Sequence, residues 1–138
     1  MSELEYKRKK LYAKKIQEMY FEGLRLCGCG SPDLRIAFIR ELLNLIHDRH
    51  EKDLSYEEYK KGLIQVFGFQ EDPDAKYYLN PIQDGIVEFV LDQLNEAGLL
   101  EHGSSVGGSW LTPYGEEMRN VLNSIQEEDI DFYLEYSF

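Results

Sequence analysis

Any chemistry in this chain has to come from a short inventory: Cys27 and Cys29, the histidines His47, His50 and His102, and Ser104 and Ser105 beside His102. Two thiolates and two imidazoles make a zinc ligand set, but structural zinc sites usually leave two to four residues between paired cysteines so that both sulfurs reach the ion. Cys27-Gly28-Cys29-Gly30 leaves one. The expectation is a tight glycine turn with small buried thiols and no metal. A disulfide across so short a ring is strained, which fits a reducing, cytoplasmic setting. His47 and His50, at i and i+3, suit the C-terminal end of a helix, where a cation complements the dipole. Ser104 and Ser105 lie next to His102 without an identifiable third group to orient the base. The Gly103 to Ser109 loop lacks the Gly-Lys-Ser/Thr ending that cradles phosphates. The chain is therefore read as non-enzymatic, with no catalytic residue, no cofactor and no metal.

These residues sit in a chain of mainly helical pattern. Ile82, Ile86, Val87, Phe89, Val90, Leu91, Leu94 and Ala97 recur at helical spacing behind Asn80-Pro81, and Gly98 stops the run, so a helix is expected from about Pro81 to Ala97. Leu99 to His102 and Ser109 to Thr112 read as short strands flanking a glycine-rich loop, with Trp110 as a core anchor. Thr112 then caps a helix opened by Pro113. Upstream, Leu4, Leu11, Tyr12, Ile16, Met19 and Tyr20 form the apolar stripe of a first helix from Glu3 to about Phe21. Gly23 to Gly30 breaks the pattern, and Ser31-Pro32-Asp33 restarts it. Leu34, Ile36, Phe38, Ile39, Leu42, Leu43, Leu45 and Ile46 cover so much of the second helix that it must lie at the centre of the core, fading at His47-Asp48-Arg49-His50. Ser55-Tyr56-Glu57-Glu58 is a capping box for a third helix ending at Gly68. The acidic connection after it is expected to hold one helical turn from Pro73. Ile130, Phe132, Leu134, Tyr136 and Phe138 alternate with polar or acidic neighbours, the period of a strand with one apolar face.

Length and charge set the remaining bounds. At 138 residues and 43% hydrophobic content the chain is expected to be one domain, with a helical part at 1–68, a winged-helix-like part at 80–125 and an acidic aromatic tail at 126–138. It has neither an apolar run long enough to span a bilayer nor a hydrophobic signal region at Met1 to Lys10, so no membrane association is expected. Residues 1–61 carry a net charge of +2 and residues 62–138 a net charge of −13. Such blocked charge suits recognition of a basic partner, or of a second copy in a homodimer. Asp84, Glu88, Asp92 and Glu96, with Phe132, Tyr133, Tyr136 and Phe138 of the tail, are the expected partner-binding residues. Lys7, Arg8, Lys10 and Lys14 of the one basic cluster are the candidates for any nucleic-acid contact.

Two resemblances extend this reading. Asn95-Glu96-Ala97-Gly98-Leu99-Leu100-Glu101 followed by Leu111-Thr112-Pro113-Tyr114-Gly115, with Leu122 seven residues beyond that glycine, resembles the wing and following helix of MarR-like and PadR-like bacterial regulators over about a third of the chain. That resemblance implies a winged-helix fold that binds DNA as a dimer, with the helix before the wing in the major groove. Here that helix carries four carboxylates and no Lys or Arg, so it would repel phosphate rather than release its counterions. Cys27-Gly28-Cys29-Gly30-Ser31-Pro32 together with the Glu101 to Thr112 segment resembles a set of small proteins encoded by bacteriophages and their hosts. It implies action by binding host machinery, defence nucleases included, in the host cytoplasm. The leading expectation is a phage-type protein-interaction module or modulator of a host protein, and the alternative is a winged-helix DNA-binding regulator.

Overall fold

The computed structural model describes residues 2–17 and 32–125. Five helices and one small sheet follow in the order α1 (Glu3–Gln17), α2 (Pro32–Glu51), α3 (Tyr56–Phe67), α4 (Pro81–Glu96), β1 (Leu100–Glu101), β2 (Trp110–Leu111) and α5 (Pro113–Ser124). The described part is thus mainly helical, and none of its helices is long and apolar enough to cross a membrane. Cys27, Cys29, the Gly23 to Gly30 break and the tail from 126 to 138 lie outside the described residues.

Burial organises the fold around α2. Ile36, Ile39, Leu42, Leu43 and Ile46 are all essentially removed from solvent, and α3, α5 and β2 each lie against this helix. Partly buried Phe38 and Leu45 widen the apolar surface of α2 beyond this stripe, so it meets several neighbours. The helix also runs further than its sequence pattern indicates, through His47 and Arg49 to Glu51, because partners from the β1–β2 region and α5 hold its last turn.

Local chemistry fixes the ends of the other helices. Ser55 Oγ accepts from the Glu58 amide and the Glu58 carboxylate accepts from the Ser55 amide, each at 3.1 Å, and this reciprocal bonding holds the Glu58 carboxyl below the usual carboxylate range. Gly68 ends α3 in the left-handed region at φ 67°. The acidic connection that follows is a turn, not the expected helical one: the Ala75 amide donates to Asp72 O. Asp72 Oδ1 accepts from the Asp74 amide and Asp72 Oδ2 from Asn80 Nδ2. These bonds, that from Asn80 first, lower the Asp72 pKa. Asn80 and Gln83 form a second reciprocal cap at the start of α4, and Gln83 Nε2 ties it back to Gln70 O at 2.8 Å.

The junction between α4 and α5 is built from a glycine turn, a strand pair and a helix cap. Gly98 reverses the chain at φ 78°, and β1 pairs antiparallel with β2 in the register Leu100 to Leu111 and Glu101 to Trp110. Both strands are two residues long, shorter than the four-residue strands expected. Thr112 Oγ1 donates to Gly98 O at 2.6 Å and accepts from the Gly115 amide at 2.9 Å, so one hydroxyl closes the turn and caps α5. Trp110 is a correction: it is 39% exposed, with its indole N–H donating to Glu101 Oε1 across the strand pair, rather than anchoring the core. The α1 stripe is another: Leu4 and Leu11 face solvent while Tyr12 is partly buried against the core, and Met19 and Tyr20 lie outside the described residues.

Gly115 lies directly beneath the Leu99 carbonyl, and a Cβ there would fall inside the van der Waals shell of that backbone oxygen. Because the oxygen belongs to a turn held by Gly98 and Thr112, neither side can yield without losing those bonds. Gly115→Ala is expected to destabilise the protein by about 3 kcal/mol, read as a shift of the urea midpoint with an unchanged slope.

Candidate interaction surface

Helix α4 is capped by Asn80 and started by Pro81, and its sixteen residues present two separate apolar faces. Val87, Val90, Leu91 and Leu94, at i, i+3, i+4 and i+7, are buried with Gln83 against the core. Ile82, Ile86 and Phe89, at i, i+4 and i+7, point outward and are 76%, 43% and 61% exposed. The apolar residues that predicted this helix thus divide between an inner and an outer face.

The four sequence-predicted carboxylates lie on this outer side, and all four are exposed. Asp84 is engaged at 3.3 Å by Lys60, whose ammonium also lies 5.1 Å from the Tyr56 ring centre. Glu88, Asp92 and Glu96 have no cationic partner among the described residues and form a row beside the apolar stripe. A short 3-10 turn, Val106–Gly108, flanks the row. It is anchored by Asn95 Nδ2, which bonds both Leu91 O and Ser109 Oγ, and by Arg49 Nη1, which donates to Gly107 O at 2.8 Å. Between turn and helix a shallow depression of about 350 Å³ is lined by Gly85, Glu88, Phe89, Asp92 and Val106. Its floor is the bare backbone at Gly85, where a Cβ would meet nothing within 4 Å.

The basic candidates occupy a different element. Lys7, Arg8, Lys10 and Lys14 are exposed on α1. Lys7 reaches Glu3 within its own helix at 3.5 Å, and Lys15 holds α1 to α5 through Glu117. Exposed Leu11 lies among Lys7, Lys10 and Lys14. The structure thus places the acidic and basic candidates on separate helices and does not bring them together. Phe132, Tyr133, Tyr136 and Phe138, the remaining partner-binding candidates, lie outside the described residues.

A polar cluster between α2 and α5 was not identified from the sequence. His47 Nδ1 donates to Glu116 Oε1 at 2.9 Å, Arg119 Nε donates to Glu116 Oε2 at 3.1 Å, and the Asn44 and Asn123 amides bond each other reciprocally at 3.0 and 2.9 Å. Arg119 Nη1 adds a bond to Asn44 Oδ1. The α5 half, Glu116, Arg119 and Asn123, follows the i, i+3, i+7 spacing of one helix face, the single signal available. His50 donates to Ser109 O at 3.3 Å, and His102 turns to Gly103 O at 2.8 Å. Each described histidine thus faces a carboxylate or a backbone carbonyl, and the cluster joins helices rather than presenting a nucleophile. Partial burial pushes the Glu116 carboxyl up, but the bonds from His47 and Arg119 outweigh it and hold its pKa below the usual value of 4.5. Comparison with family models, curated proteins and solved structures returned no match for the chain.

Two outcomes follow from this geometry. A carboxyl with a depressed folded pKa adds stability that is present above its unfolded pKa and lost as pH falls through the folded one. Thermal melts should therefore show Glu116→Gln less stable than the parent at neutral pH, with the gap closing below about pH 4.5 as the parent carboxylate protonates. Gly85→Ala, at an exposed helix interior with open space around it, is expected to raise stability by about 0.5–1 kcal/mol in chemical denaturation. A loss would mean that the bare backbone is required by the fold itself.

Proposed function

We propose that this chain is a non-enzymatic protein-binding module whose contact surface is the outer face of α4. The observation that carries the reading is the stripe Ile82, Ile86 and Phe89, three large apolar side chains left in solvent at the spacing of a docking helix and edged by Glu88, Asp92 and Glu96. Isolated exposed apolar residues are ordinary, but a periodic row edged with one sign of charge matches a basic amphipathic helix. The order α4, β1, 3-10 turn, β2, α5 is consistent with a winged-helix arrangement of the kind the MarR-like and PadR-like resemblance implies. In that arrangement α4 would be the helix offered to the DNA groove, and its carboxylates oppose that use. The same elements then serve protein recognition. A phage-type modulator of a basic host protein, working in the host cytoplasm, is the specific form of this reading, supported by the −11 net charge and the second resemblance.

One observation favours a second reading, DNA binding as a transcriptional regulator: Lys7, Arg8, Lys10 and Lys14 project from α1 into solvent. Titration of the protein with a synthetic amphipathic Leu–Lys helix and, separately, with random duplex DNA distinguishes the two. Micromolar binding of the peptide is expected, lost in the doubly substituted Ile86→Asp, Phe89→Asp protein, with no comparable affinity for DNA at physiological salt. Tight DNA binding that falls steeply with salt and is lost on Lys10→Ala and Lys14→Ala would establish the regulator instead.

A further inference from the structure

We propose that the outer face of α4 receives α1 of a second copy of this chain, so that two copies associate through a reciprocal pair of α1–α4 contacts. This rests on reading α4 as a protein-binding surface and names its occupant.

Charge complementarity is the first argument. Helix α1 carries six Lys or Arg against two Glu, whereas α4 carries four carboxylates and no cation. Arg8, Lys10 and Lys14 have no acidic partner among the described residues, as Glu88, Asp92 and Glu96 have no basic one. Each helix therefore exposes what the other lacks.

Spacing is the second argument. Leu4 and Leu11, 68% and 51% exposed, are seven residues apart on α1, as Ile82 and Phe89 are on α4. Both pairs span about 10.5 Å at 1.5 Å per residue. At 3.6 residues per turn, Lys7, Lys10 and Lys14 fall on the same rotational flank of the Leu4–Leu11 line as Glu88, Asp92 and Glu96 do of the Ile82–Phe89 line. Two helices with charges on matching flanks bring those charges face to face when they run antiparallel. Gly85 supplies the third argument. A helix-interior glycine lowers helix stability, and among the described residues nothing lies within 4 Å of where its Cβ would stand. A side chain such as Leu11 entering from another helix would use the space that it leaves open beside Phe89.

The same charges exclude nearer occupants. The chain's own α1 is held on α5 by Lys15 and Glu117. The tail sequence contributes Glu127, Glu128, Asp129, Asp131 and Glu135, which would set carboxylates against carboxylates. A two-fold pair uses the α1 and α4 surfaces of both copies and leaves neither open.

Sedimentation velocity on the full chain tests this. The parent is expected to form dimers of the 16.2 kDa chain at high micromolar concentration in low salt, dissociating as salt is raised. Reversing α1 with Lys7→Glu, Lys10→Glu and Lys14→Glu, or α4 with Glu88→Lys, Asp92→Lys and Glu96→Lys, should weaken self-association more than about a hundredfold by opposing like charges. An equimolar mixture of the two reversed proteins should dimerise again, since each α1 then meets an α4 of opposite sign. Circular dichroism confirms that each variant is folded, and the single changes Leu11→Asp and Phe89→Asp provide an independent route to the monomer. A monomeric parent, or reversed proteins that fail to rescue each other, overturns the proposal. A monomeric parent that still binds the Leu–Lys helix through Phe89 leaves α4 as a protein-binding surface and removes self-association alone, whereas one that binds neither removes both.

Discussion

The need to bury α2 on more than one side governs the rest of the described fold. Ile36, Ile39, Leu42, Leu43 and Ile46 each gain on the order of 1.5–3 kcal/mol by leaving water, and partly buried Phe38 and Leu45 widen the apolar surface beyond that one stripe. Helices α3 and α5 and strand β2 are all drawn to α2. Helix α4 meets chiefly β1 and the 3-10 turn. It therefore has one covered side, and its second apolar stripe stays in solvent.

Charge separates along the same lines. The cations of α1 and the carboxylates of α4 form no ion pair with one another among the described residues, and the internal pairs engage few of them: Lys7 with Glu3, Lys15 with Glu117, and Lys60 with Asp84. The carboxylates beside Ile82, Ile86 and Phe89 keep that apolar row from adhering to others of its own kind, because two such faces brought together would oppose like charges. An apolar row edged with acid selects for a basic counterpart, and α1 has that character.

Polar bonds hold the elements in register where apolar contact alone would let them slide. Thr112 joins the turn after α4 to the start of α5, Gln83 joins the cap of α4 to the connection behind it, and Glu116, His47 and the Asn44–Asn123 pair fasten α5 to α2. Several of these bonds link residues more than sixty positions apart. Their spacing along the chain carries no sign of the partnership, which is why His47 reads in sequence as a helix-end cation.

The sequence by itself determined where α3, α4 and α5 begin, where α3 and α4 end, and which helix is central. Ser55 with Glu58, Asn80 with Pro81, Thr112 with Pro113, and Gly68 and Gly98 act on backbone groups within a few residues, so their effect is local. The near-continuous apolar covering of α2 has no solution but burial. The carboxylates of α4 and the cations of α1 were also legible, since a charge is rarely buried without a partner. Only the tertiary structure decided which of two apolar stripes on α4 faces inward, that Leu4 and Leu11 of α1 face outward, and that the strands stop after two residues. A period of 3.6 states that a helix has a face, but the number of neighbours around it sets how much of that face is covered. That number is fixed by how α3, α5 and β2 crowd onto α2.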